Sequence, residues 1–245
     1  MLPEHGRVSC NRCFEGKPVI WGKSSREANG WKIESNAGAW GSRNPTVLVL
    51  GVSKGPNQTT NILLRKHEEI PFKGERVYLS KYLARLGLLK PNESIDSKIS
   101  AAETNFAFGS MVRCGIGLWN EEKKDYVKVG NVVNSSATHP QAQEFVRNCS
   151  QEFLASLPER LKIVVLMSND DEYIESCFRA FKALHPKLER FNDVSYTNGE
   201  VMWVHIIHAA GTAGRHREDW LHGESGKQAR KRELAIQAIK MSGVD

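Results

Sequence analysis

Four cysteines are the side chains whose spacing most clearly suggests chemistry. Cys10 and Cys13 form a C-x-x-C pair near the N-terminus, and Cys114 and Cys149 follow as distant single residues. A C-x-x-C pair can place two thiolates on one metal ion or cluster, and iron–sulfur clusters and structural zinc both take four such ligands. The pattern predicts a metal or iron–sulfur site. The alternative is two unrelated buried thiols plus an exposed turn.

The fifth cysteine has a different environment. Cys177 lies in the segment DDEYIESCFRAFKAL, where Tyr173, Phe178 and Phe181 share its helical spacing. Apolar residues at this spacing form the buried face of a helix. We therefore expect Cys177 to fill the core.

Composition limits the class of protein. The 245 residues are 40% hydrophobic, enough for one large α/β domain spanning 1–245. No apolar run of about 18 residues and no signal-peptide pattern is present, so we expect a cytoplasmic, non-secreted monomer without a membrane segment. Thiols stay free or metal-bound in a reducing compartment. The formal charge of +6 favours a polyanionic partner such as nucleic acid.

Apolar, β-branched runs alternate with helical patterns along the chain. The predicted strands are 45–51, 105–114, 162–167 and 201–208, and the predicted helices are 77–86, 140–157, a helix capped by Asp170 and Asp171, and 228–241. Such alternation predicts a three-layer α/β sandwich, in which helices flank a central, mostly parallel, four-stranded sheet.

Three further segments do not fit this alternation. Residues 1–45 are predicted to be an irregular N-terminal segment that carries the first cluster ligands, and 115–148 form a polar insert. Residues 224–245 form a basic C-terminal helix. The insert is interpreted as a solvated surface hairpin, or alternatively as an element that lies against DNA or gates the pocket.

Ligands of open parallel sheets bind outside the carboxyl ends of the strands. The loops after Gly51, Ser110 and Ile207 are therefore where we expect a binding site. The first of these, GVSKGPNQ, has two glycines that let backbone N–H groups approach a ligand, but it lacks the G-K-S/T of a P-loop.

Five motifs then occur in a characteristic order. They are the loop 51–55, the segment Pro71-Phe72-Lys73-Gly74, the segment Met111-Val112-Arg113-Cys114, Cys149, and His208 after the last strand. In this order the chain resembles the uracil-DNA glycosylase superfamily, most closely its iron–sulfur branch, over roughly residues 8 to 220.

The resemblance implies a cofactor and a set of site residues. A 4Fe–4S cluster, with structural zinc as the alternative, would be bound by Cys10, Cys13, Cys114 and Cys149. DNA would be the partner, and the target base would flip out of the stack. Phe72 matches the ring that stacks on this base, and His208 matches the histidine that stabilises the departing base anion. Gly51, Lys54, Gly55 and Ser110, together with Phe72, are expected to bind the substrate.

The chain departs from the family pattern in the group that activates water. Relatives carry a carboxylate or an asparagine in the first loop, where this chain has Val52, Ser53 and Lys54. We assign Ser53 and Asn57 to catalysis, with Gln58 or the pair at 68–69 as alternatives to Asn57.

Two other departures affect specificity and DNA contact. Ser110 replaces an asparagine that reads uracil, which favours a bulkier or differently bonded pyrimidine. The last motif is His-Ala-Ala instead of His-Pro-Ser, so Thr212, Arg215 or His216 would take over the phosphate contact. Arg230 and Lys231, with Lys227 and Arg232, are expected to contact phosphates, unless they form only an exposed solvated face.

The sequence leads to one main functional hypothesis and two alternatives. The main one is a DNA glycosylase that hydrolytically excises a damaged or modified base, in repair or in defence against modified foreign DNA. The first alternative is a catalytically silent nucleic-acid-binding module of the same fold, which the missing loop carboxylate supports. The second is a zinc-stabilised α/β hydrolase acting on a small nucleotide.

Overall fold

The computed structural model describes residues 1–54, 58–59, 63–129, 132–210 and 213–244. No helix in these ranges is long and apolar enough to cross a membrane. The strands are β1 (Gly6–Arg7), β2 (Ser25–Ala28), β3 (Trp31–Glu34), β4 (Gly38–Gly41), β5 (Val47–Lys54), β6 (Phe106–Asn120), β7 (Asp125–Lys128), β8 (Ile163–Met167), β9 (Glu189–Asn192), β10 (Ser195–Thr197) and β11 (Met202–Ile206).

The described helices are α1 (Arg76–Arg85), α2 (Val132–Ser135), α3 (Pro140–Leu154), α4 (Asp171–Leu184), α5 (His216–His222) and α6 (Gly226–Met241). Short 3-10 helices span Arg12–Phe14, His67–Glu69 and Ile95–Lys98. The predicted capping of α4 is confirmed, because the Asp170 side chain accepts a hydrogen bond of 3.1 Å from the Tyr173 backbone N–H.

The four predicted strands form the centre of the sheet. They lie in the order β6-β5-β8-β11, and each neighbouring pair is parallel. The sheet is nevertheless larger and more mixed than predicted, with eleven strands among the described residues and antiparallel neighbours on both sides. Strand β6 is the main reason, because it continues to Asn120 and its second half pairs with β3 and β7.

Successive residues of β5 point to opposite faces of the sheet. Leu48 and Leu50 belong to the hydrophobic core on one face, and Val47 and Val49 belong to the core on the other. Buried residues of α2, α3 and α4 contribute to the first core, while those of α1, α5 and α6 contribute to the second. Because both faces of β5 are covered, the strand needs consecutive apolar residues instead of an alternation of apolar and polar ones.

The N-terminal segment is more regular than we expected. Residues 1–45 contain four strands, two of which form the hairpin β2–β3. Its turn is Asn29-Gly30, and both residues have positive φ, 50° and 76°. This is the backbone of a tight two-residue turn, for which Asn-Gly is preferred. Trp31 and Ile33 alternate with polar residues and are buried.

The first part of the polar insert, up to Lys128, forms the surface hairpin that we predicted, whereas residues 132–135 and 140–148 belong to the helices α2 and α3. Strand β7 pairs antiparallel with the end of β6, and Asn120 faces Asp125 at its tip. Residues 121–125 are exposed. Beyond the hairpin, the carbonyl oxygen of Val129 accepts a 3.1 Å hydrogen bond from Ser53 Oγ, so this segment contacts the end of β5.

Candidate functional site

A small cavity lies at the carboxyl ends of the central parallel strands. Its volume is about 110 Å³. Gly51, Ser110, Met167 and His208 line it from the four central strands or from the residues that follow them. The position agrees with the rule that open parallel sheets bind ligands at this edge.

His208 is held by the backbone that follows it. The Ala210 N–H donates a hydrogen bond of 2.9 Å to Nδ1 of His208. Nδ1 therefore carries no proton, and the neutral ring keeps its proton on Nε2. Burial lowers the pKa of His208, which favours this neutral form. The ring thus offers one N–H donor, Nε2–H.

Phe72 lines the same cavity in a strained backbone conformation. Its φ is 54°, which is rare for a bulky side chain. The ring is buried and packs edge-on against Phe108, with 5.9 Å between the centroids. Strain of this kind often occurs at functional sites, because the surrounding structure must enforce it.

The first loop contributes fewer groups to the cavity than the sequence suggested. Gly51, Ser53 and Gln58 line it, and Ser110 faces Gly51 across the parallel pair. A Cβ at Gly51 would lie 3.5 Å from Ser110 Oγ, so the two strands approach closely here. Gly55 and Asn57 lie outside the described residues.

Lys54 does not line the cavity, contrary to our prediction for substrate binding. The pairing register shifts between Ser53 and Lys54, as in a β-bulge, and a bulge re-aims the side chain. The Lys54 ammonium donates to the main-chain and side-chain oxygens of Asn36, away from His208. Asn36 Oδ1 also accepts from Gly115 N–H at 2.8 Å, next to Cys114.

The four cysteines of the predicted ligand set lie within electrostatic reach of one another. Burial, with a smaller contribution from neighbouring cysteines, raises the pKa of Cys13 to about 12 and that of Cys114 to about 11. Cys149 and Cys10 also have raised pKa values, chiefly through burial. Within the described ranges, no three His, Cys, Asp or Glu side chains form a preformed site for a single ion.

Two buried cations next to these thiols supply a test of fit for an anionic cluster. Lys54 is 2% exposed and Arg113 is 3% exposed, and no carboxylate among the described residues forms an ion pair with either. Arg113 donates to the Gly38 carbonyl at 3.0 Å. Buried charges are normally paired. Four thiolates around an iron–sulfur core carry net negative charge, so this donor set and its two cations fit such a group.

Cys177 is separate from this set, as expected. It is fully buried in the core on the α4 side of the sheet, and its Sγ lies 3.4 Å from the Met111 sulfur. Burial raises its pKa. It is a core residue.

Glu75 is a cavity residue that the sequence analysis missed. It lies just before α1, is half-buried, and lines the cavity together with Phe72 and His208. Burial raises the pKa of its carboxyl, and the positive charge of Arg217 partly offsets this. The available signal was its place after Pro71-Phe72-Lys73-Gly74, three residues beyond the aromatic ring. The alternatives at 68–69 do not line the cavity, and Glu68 contacts His5 at 3.2 Å.

The basic start of α6 is largely occupied by internal contacts. Lys231 is buried, and its ammonium donates to the Asn169 carbonyl and pairs with Asp171 at 2.5 Å. Arg230 is exposed and pairs with Asp193 at 3.2 Å. The arrangement does not favour a phosphate contact by Lys231, contrary to our expectation.

Lys73 is a cation that lines the cavity, and it is exposed. Arg215 is exposed as well, directly before α5. His216 is also exposed and lies 3.6 Å from Asp219. Thr212 lies outside the described residues.

No protein-family model matches the chain, and a comparison with curated proteins finds no match.

Proposed function

We propose that this protein is a DNA glycosylase that hydrolyses the N-glycosidic bond of a damaged or modified base. The observation that carries the proposal is the cavity that joins Phe72, Ser110 and the neutral ring of His208 at the carboxyl ends of parallel strands. An aromatic wall suits a flipped base, and a positioned donor suits the charge that develops on it.

The proposed residues act at different stages. Phe72 stacks on the base, and the Ser110 hydroxyl bonds its edge. The Nε2–H of His208 donates to the base as the glycosidic bond breaks, when negative charge appears there. This interaction is stronger in the transition state than in the ground state, so it lowers the barrier to bond cleavage.

A 4Fe–4S cluster on Cys10, Cys13, Cys114 and Cys149 belongs to the same proposal. Bound there, it would join the N-terminal segment to β6 and α3 and would place anionic charge beside Lys54 and Arg113. The role of the four cysteines would be to hold in place the strand ends that form the cavity. The alternative of a silent binding module is favoured by the absence of a carboxylate at 52–54.

The test is incubation of the purified protein with a panel of DNAs. The panel contains uracil, other deaminated bases, and hydroxymethylated and glucosylated cytosine, and alkali then cleaves the strand at abasic sites. Excision of at least one base supports the proposal. Tight DNA binding without any cleavage across the panel favours the silent module instead.

A further inference from the structure

Hydrolysis of a glycosidic bond needs an activated water, and this chain lacks the usual group for that task. The end of β5, residues 51–54, carries no carboxylate. Among the described residues that line the cavity, Glu75 is the one carboxylate. Glu75 lines the cavity together with Phe72, from the segment before α1 and not from the end of β5.

The carboxylate of Glu75 is not held by another described side chain. Within the described part of the chain, no side chain forms an ion pair or hydrogen bond with it, whereas neighbouring acids are engaged. Glu218, for example, accepts a 2.8 Å hydrogen bond from the Tyr78 hydroxyl. A half-buried carboxylate that accepts no side-chain hydrogen bond binds a proton more readily than an exposed one, because burial disfavours its charge, and here the charge of Arg217 offsets this only in part. That property suits a general base.

The backbone fixes Glu75 relative to the stacking ring. The Glu75 N–H donates a 2.8 Å hydrogen bond to the Phe72 carbonyl, and the Leu79 N–H donates to the Glu75 carbonyl at 3.0 Å. Phe72 at φ 54° and Gly74 at φ 81° make the tight turn that this requires. Side chains 72 and 75 thus enter one cavity from a turn anchored to α1.

We propose that Glu75 is the general base of the excision reaction, an inference that rests on the proposed glycosylase function. Water attacks C1′ of the deoxyribose of the flipped nucleotide, and its proton passes to the Glu75 carboxylate. The C1′–N bond breaks, and its electron pair leaves with the base, which accepts the hydrogen bond from His208. The proton on Glu75 then passes through solvent to the base anion. The products are the free base and an abasic site.

Among the described residues, four other titratable or charged groups either line the cavity with Glu75 or interact with its charge. Lys73 and His208 line the same cavity, and Arg217 and Tyr82 interact with its charge. Arg217 lies 3.9 Å from the Tyr78 ring centroid and donates to the Ala209 carbonyl at 3.4 Å, so it bridges α1 and the His208 loop. We assign the fall of the excision rate at low pH to protonation of Glu75, because only the deprotonated carboxylate can accept the proton of water.

The test compares Glu75→Gln with wild type in single-turnover excision of the base found by the panel. The variant keeps the shape and loses the proton acceptor, so we expect a rate constant about 10²- to 10⁴-fold lower, with unchanged DNA affinity and an unfolding temperature no lower than that of wild type. The acid fall in rate seen for wild type should also disappear. Glu224→Gln, at an exposed position away from the cavity, is the matched control.

The two ways of failing are distinguishable. If Glu75→Gln excises at the wild-type rate with the wild-type pH profile, while His208→Ala is slow, the assignment of Glu75 is overturned and the glycosylase function stands. If wild type excises no base of the panel, the proposed function itself falls, and the role of Glu75 falls with it.

Discussion

The backbone N–H of Ala210 donates a 2.9 Å hydrogen bond to Nδ1 of His208. This contact selects one tautomer of the ring, with its donor on Nε2. The contact also opposes protonation of Nδ1, because an N–H at Nδ1 would point at the N–H of Ala210. His208 is thus a neutral donor held ready for developing charge, and His205, three residues earlier, has another role.

His205 is predicted to be structural. It is fully buried between the Tyr196 hydroxyl, 3.0 Å from Nε2, and the Ser168 carbonyl, 2.8 Å from Nδ1, and burial lowers its pKa to about 3. Between about pH 6.5 and pH 3 the unfolded chain binds a proton at this site and the folded chain does not. Stability should fall with falling pH across this window, by up to about 1.4 kcal/mol per pH unit.

The measurement is the free energy of unfolding against pH for wild type and His205→Asn. The variant should be less stable at pH 7 and should show a shallower acid slope, because it does not titrate. An unchanged slope would mean that His205 is not the buried neutral group that the structure shows.

The cluster proposal predicts different effects of two cysteine substitutions. Cys114→Ala should lose iron and the broad visible absorption of an iron–sulfur protein, because one of four ligands is gone. Cys177→Ala should retain both, since that thiol packs against Met111 in the core. The readout is iron per protein after anaerobic purification. Equal iron content in the two variants would exclude Cys114 as a ligand.

Lys54 gives a prediction with opposite signs in two forms of the protein. Without a cluster its buried ammonium forms no ion pair with a described carboxylate, and burial lowers its pKa to about 7, although the charge of Glu34 opposes this in part. Lys54→Met should therefore raise the stability of cluster-free protein, by roughly 1–4 kcal/mol. In loaded protein the same change removes a counter-charge and should speed iron loss to a chelator. Lys240→Met, at an exposed position, is the control.

Arg215 and Lys231 separate DNA contact from folding. Arg215→Gln should flatten the log–log salt dependence of DNA binding by about 0.9 for one lost phosphate contact and leave stability unchanged. Lys231→Gln should lower the unfolding temperature, because its contacts with Asn169 and Asp171 are lost, and leave the salt slope as it is. A flatter slope for Lys231→Gln would reverse the assignment.

The sequence predicted the centre of the fold because its strands are short, apolar and buried on both faces. Val47 to Leu50 alternate between two cores, which leaves no polar position in the run. The hairpin at Asn29-Gly30 was missed although Asn-Gly is a strong turn signal, because residues 1–45 are rich in Gly, Ser, Asn and charge and show little periodicity. The extension of β6 depends on partners that are distant in sequence.

The candidate site was predictable only in part. Phe72, Ser110 and His208 follow from strand ends and motif order, and the structure brings all three to one cavity. The direction of the Lys54 side chain depends on a register shift in the β5–β6 pair, which the local sequence does not predict. Glu75 joins the cavity only because the turn at Phe72 folds back, so its role was hidden from a search confined to the first loop.

The most direct test of the account is the single-turnover rate constant for base release by wild type and His208→Ala. On the base that wild type excises, the variant should be about 10²- to 10³-fold slower, because it loses one preorganised donor to the departing anion, and its DNA affinity should be nearly unchanged. His222→Ala, at an exposed position in α5, should behave as wild type. Release by His208→Ala at the wild-type rate would contradict the mechanism.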